Sequence, residues 1–106
     1  MIIVEKNAGP KIDYDIHNTA TKKKITFDDD ITINLAKRQE DYDVHIDICY
    51  DADDELVIGA AAGRRYVAEL DIPKKTYHEV GEGEEVSLEP DPLDMDAVTL
   101  SLWAIE

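Results

Sequence analysis

The chain has 106 residues, which is room for one domain of the usual ~100–150 residues and not for two. Asp+Glu 25 against Lys+Arg 11 leaves a formal net charge of −14, while 43% hydrophobic residues argue for a packed core and against disorder. That balance argues against nucleic-acid binding, because Lys22-Lys23-Lys24, Arg64-Arg65 and Lys74-Lys75 are too short and scattered to track a phosphate backbone.

No apolar run approaches the ~18 residues of a membrane helix, and Met1-Ile2-Ile3-Val4-Glu5-Lys6 lacks the long apolar stretch of a signal peptide. The initiating methionine reads as the start of a complete chain. Cys49 is the single cysteine, so no disulfide can form within the chain and the expected compartment is cytoplasmic.

Period-two alternation begins at Ile12-Asp13-Tyr14-Asp15-Ile16-His17. Lys24 to Phe27 is expected to pair with Ile31-Thr32-Ile33-Asn34-Leu35 across an Asp28-Asp29-Asp30 turn, whose side chains can bond nearby backbone. The clearest alternation is Tyr42 to Tyr50: Tyr42, Val44, Ile46, Ile48 and Tyr50 fall on one face, and Asp43, His45, Asp47 and Cys49 on the other.

From Asp53 to Leu70 two readings compete. Leu56, Ala60, Gly63, Val67 and Leu70 share a helical face, but Gly59 and Gly63 would each cost roughly 1 kcal/mol inside a helix. Two strands around a turn are preferred, the second running from Tyr66 to Ile72 and ending at Pro73. Thr76 to Val80 and Glu85 to Leu88 should be joined by a reversal at Gly81-Glu82-Gly83, and Glu89-Pro90-Asp91-Pro92-Leu93-Asp94 reads as a rigid loop. At the end, Val98, Leu100, Leu102 and Ala104 alternate with Thr99, Ser101, Trp103 and Ile105.

Turn signals about every 8–12 residues without an amphipathic crossover helix predict one all-β domain over 1–106. The expected architecture is an antiparallel β-sandwich or small barrel of about seven or eight strands. The alternative is α+β with a helix within 53–70.

Several residues carry chemistry worth weighing. Asp43, His45 and Asp47 share a strand face about 7 Å apart, and carboxylates with an imidazole suit a divalent ion if a neighbouring strand adds a ligand, for instance from Asp13, Asp15 and His17. A solvated polar face explains the same pattern. Asp51, Asp53 and Glu55 begin like a calcium loop, but Leu56 stands where glycine is needed and Ala62 where a bidentate glutamate belongs, so a polar turn accounts for them. Ser87 and Ser101 lack a glycine-framed elbow, and Cys49 and His45 would stand about 13 Å apart on an extended strand. Trp103 and Ile105 would face away from Val98, Leu100 and Leu102 and mark an apolar contact patch.

The sequence therefore predicts a protein that is not an enzyme, takes no cofactor, and contacts a protein partner or another copy of itself, with neither nucleic acid nor membrane as partner. The alternative is a ligand- or metal-binding domain, an enzyme included, built on the Asp/His face. An acidic mimic of nucleic acid is the further alternative.

Overall fold

The computed structural model describes residues 1–61 and 63–105. Among them are ten strands, with one helical turn and one 3₁₀ turn. The strands are β1 (Ile2–Glu5), β2 (Tyr14–Asn18), β3 (Lys23–Phe27), β4 (Ile31–Asn34), β5 (Val44–Tyr50), β6 (Leu56–Ile58), β7 (Arg65–Ile72), β8 (Tyr77–Val80), β9 (Ser87–Pro90) and β10 (Thr99–Leu102). Helix α1 (Leu35–Arg38) begins at Asn34, whose side chain accepts a hydrogen bond from the Lys37 amide.

The all-β expectation is met by three sheets: β1-β10-β7-β5-β6, β2-β3-β4 and the hairpin β8-β9. The first two share one core in a sandwich-like arrangement. Ile46, Ile48, Leu70, Leu100 and Leu102 come from the larger sheet, while Ile25, Phe27 and Ile33 come from the smaller. The sheets do not close into a barrel. There are more strands than the seven or eight expected, because every alternating stretch forms a strand and β1 adds another; most are only three to five residues long. No described helix is long and apolar enough to cross a membrane.

Pairing is antiparallel with one exception. β1 lies parallel to β10, with Ile2 opposite Thr99 and Glu5 opposite Leu102. These strands come from opposite ends of the chain, so the whole domain serves as their crossover and no dedicated helix is needed.

The 53–70 segment is strand rather than helix, but β6 and β7 do not pair with each other. Both flank β5, so the connection between them arches over the end of that strand. A Cβ on Gly63 would lie 2.7 Å from Cys49 Cβ, so this arch admits only glycine at the point of contact. Where β7 meets β5, the register shifts between Ile48 and Cys49: Ala68 faces Ile48, Tyr66 faces Cys49, and Val67 is the extra residue of a bulge.

The shape departs from a compact sphere. A 106-residue domain has an expected radius of gyration of about 13 Å, whereas this chain has 16.4 Å and measures 59 × 25 × 22 Å. Both strands of the β8-β9 hairpin are exposed apart from the half-buried Val80.

Candidate metal centre and projecting arm

The polar face of the larger sheet is organised by register. His45 on β5 stands opposite Asp71 on β7, and Asp71 opposite Thr99 on β10; one row along, Asp47 faces Glu69, which faces Ser101. His45 is held at both ring nitrogens. Its Nδ1 lies 2.6 Å from Asp71 Oδ1, and its Nε2 lies 2.8 Å from Asp47 Oδ1 and 3.4 Å from Glu69 Oε1. The hydrogen bond to Asp71 is the main cause raising the imidazole pKa, opposed by desolvation and reinforced by Asp47.

Glu69 is anchored from its other side, since the Trp103 indole N–H donates to Glu69 Oε2 at 2.7 Å. Trp103 also leans on Tyr66, with ring centroids 6.3 Å apart. The donor atoms of His45, Asp47 and Glu69 lie within 4.8 Å of one another, a spread that one divalent ion bound at about 2.0–2.6 Å can bridge. In that arrangement Asp71 would orient the ring through Nδ1, as carboxylates behind metal-bound histidines do.

Of the residues singled out from sequence, the structure brings His45 and Asp47 together and leaves Asp43 aside. Asp43 precedes β5, and its carboxylate accepts a hydrogen bond from the Lys74 amide at 3.0 Å. Asp13, Asp15 and His17 belong to the other sheet side and do not pair with β5. The neighbouring strand that does contribute is β7. Its Glu69 and Asp71 were visible as the polar positions of Tyr66 to Ile72, but nothing local indicates that this strand pairs with β5.

The remaining candidates are placed as follows. Asp51 uses one carboxylate oxygen to accept from the Asp53 and Glu55 amides, which is turn construction; Ala62, the twelfth position of the calcium-loop comparison, lies outside the described residues. Cys49 is buried beneath Gly63, and burial followed by the Asp47 and Glu69 charges pushes its thiol pKa up. Ser101 is buried. Tyr42 lies outside β5 and is exposed, whereas Tyr50 packs against the core. Ile105 also packs against the core, its N–H donating to the Pro10 carbonyl, and Trp103 is half-buried.

Exposed apolar side chains group instead on the arm and along β1, where Ile2, Ile3 and Val4 are exposed. Tyr77 pairs with Pro90 and Glu79 with Leu88 on one face; His78 pairs with Glu89 and Val80 with Ser87 on the other. Leu88 is 65% exposed, and Tyr77 and Val86 are each 44% exposed. The root is well tied: Asp91 takes Nδ1 of His78 at 2.6 Å and the Thr76 hydroxyl, and the Tyr77 hydroxyl donates to Asp41. At the tip, Gly81 has φ +104°, and a Cβ there would collide with the Glu85 carbonyl.

No protein family, no curated protein and no solved structure matches the chain.

Proposed function

We propose that this chain is a non-catalytic assembly domain that makes its contact through the β8-β9 arm. The observation that carries this reading is a hairpin held out from the body with Tyr77, Leu88 and Pro90 on one exposed face. An isolated two-stranded hairpin is marginal in water, so an arm of this kind gains order by packing its apolar face against something else. The β1 edge also exposes Ile2, Ile3 and Val4, but that strand is already part of a sheet with a core beneath it. A buried Cys49 with a raised thiol pKa supports the non-catalytic side of the reading and suits a reducing, cytoplasmic setting.

A photo-activated cross-linking residue at Leu88, compared with one at Glu89 on the opposite face, tests this in the native cells. A discrete adduct from position 88 and none from 89 is expected. No adduct from 88, or equal adducts from both faces, would overturn the reading.

A second reading, cation binding, is favoured by the convergence of His45, Asp47 and Glu69. Trp103 is the only tryptophan and touches Glu69, so its fluorescence should report an ion directly. Titration with zinc, manganese and calcium should change the emission and raise the melting temperature, because a ligand that binds only the folded state stabilises it. His45→Ala and Glu69→Gln should abolish both responses and Asp43→Ala should spare them. Neither response at millimolar metal would remove the site.

A further inference from the structure

The arm is anionic, whereas the charged residues that line one groove near its root are cationic. From Thr76 to Asp91 the arm carries Glu79, Glu82, Glu84, Glu85, Glu89 and Asp91 and no lysine or arginine; three of these carboxylates crowd the tip between Gly81 and Val86. At the root lies an open groove of about 380 Å³. Its walls include Ala20, Ala36, Pro92 and Leu93, and its charged residues are Lys23 and Lys37, with no carboxylate among them. In a chain with a net charge of −14, a cationic groove beside the base of an anionic arm is a complementary pair.

A molecule cannot satisfy this pair by itself. Tip and root are separated by about five extended residues, roughly 17 Å, so the tip cannot reach the groove at its own base. Two copies can. If two arms lie antiparallel with their apolar faces together, each tip falls over the other molecule's root, and one twofold axis generates both contacts.

We propose that the occupant of the arm is a second copy of this chain, with Glu82, Glu84 and Glu85 of each tip seated over Lys23 and Lys37 of the other molecule. This rests on the arm being the contact element. Leu88 of the two arms meets near the axis, and Tyr77 and Pro90 at each root lie beneath the other arm's tip, removing from water apolar surface that each arm exposes alone. The net charges of two copies repel, but screening confines that repulsion to about 8 Å at physiological salt, while the tip and groove charges remain in contact. The contact is small, so association should be reversible and concentration-dependent.

Charge reversal with rescue tests the arrangement. Light-scattering mass is measured over a dilution series at 0.15 M salt for the unmodified chain, a tip variant (Glu84→Lys with Glu85→Lys) and a groove variant (Lys23→Glu with Lys37→Glu), each checked for an unchanged melting temperature. Each variant alone should associate about tenfold more weakly or worse, and an equimolar mixture of the two should recover association, because both tip-to-groove contacts become attractive in the mixed pair. Absence of rescue, or a dimer indifferent to both variants, overturns the proposal. If Leu88 yields an adduct whose mass is not twice that of the chain, the second copy is wrong while the arm remains the contact; if Leu88 yields none, the arm itself is wrong.

Discussion

His78 on β8 and Asp91 just beyond β9 hold each other at 2.6 Å across the root of the arm, and the Thr76 hydroxyl binds the other oxygen of the same carboxylate. The two hydrogen bonds, that from Thr76 first, hold the Asp91 carboxyl below its usual pKa. A carboxylate with a depressed folded-state pKa contributes order that is present above its unfolded pKa and lost as pH falls through the folded value. Cross-strand NMR contacts between Tyr77 and Pro90 should therefore hold steady above about pH 4 and weaken below it. Asp91→Asn should weaken them at neutral pH as well.

His45 predicts the opposite sign in a different window. Its folded-state pKa is raised, so its ion pairs stabilise fully below the unfolded value of 6.5 and the contribution is lost as pH rises through the folded value. In buffer with chelator, the melting temperature should decline as pH rises above about 6.5. His45→Gln should flatten that slope, and a slope unchanged by the substitution would assign the pH dependence elsewhere.

The arch over β5 has no room for a methyl group at Gly63, where a Cβ meets both Cβ and Sγ of Cys49 at 2.7 and 2.9 Å. Gly63→Ala should cost about 1–3 kcal/mol in chemical denaturation, the usual penalty for forcing atoms into a packed contact. Cys49→Ala in the same chain should recover part of the loss by removing the sulfur.

Body and arm should separate energetically. Phe27 is fully buried at the centre of the shared core, and Phe27→Ala should cost about 3–5 kcal/mol. Leu88→Asp lies on the exposed arm and should change the stability of the dilute protein by about 0.5 kcal/mol or less.

Strand faces were legible because alternation is a local property. Ile46 and Ile48, or Leu100 and Leu102, declare their inward face whatever they pair with, and the Asp28-Asp29-Asp30 and Gly81-Glu82-Gly83 turns announce themselves through residues that tolerate positive φ. Hairpin pairing across those turns was legible as well, but pairing between strands distant in sequence was not. β1 has no alternation and becomes a strand because β10, at the other end of the chain, offers it an edge. Glu69 and Asp71 reach His45 only because β7 lies beside β5, and Asp43 leaves that group because β5 starts one residue later. The hairpin of the arm was readable from its turn, but its separation from the body depends on what does not pack against it, which no local pattern encodes.

The most direct measurement is the absolute mass of the unmodified chain and of Leu88→Asp over the same dilution series at fixed salt. The unmodified chain should rise with concentration from 11.9 kDa towards twice that value, and Leu88→Asp should stay at 11.9 kDa. A mass of 11.9 kDa at every concentration would contradict self-assembly, and a dimer that survives Leu88→Asp would contradict the arm as its contact.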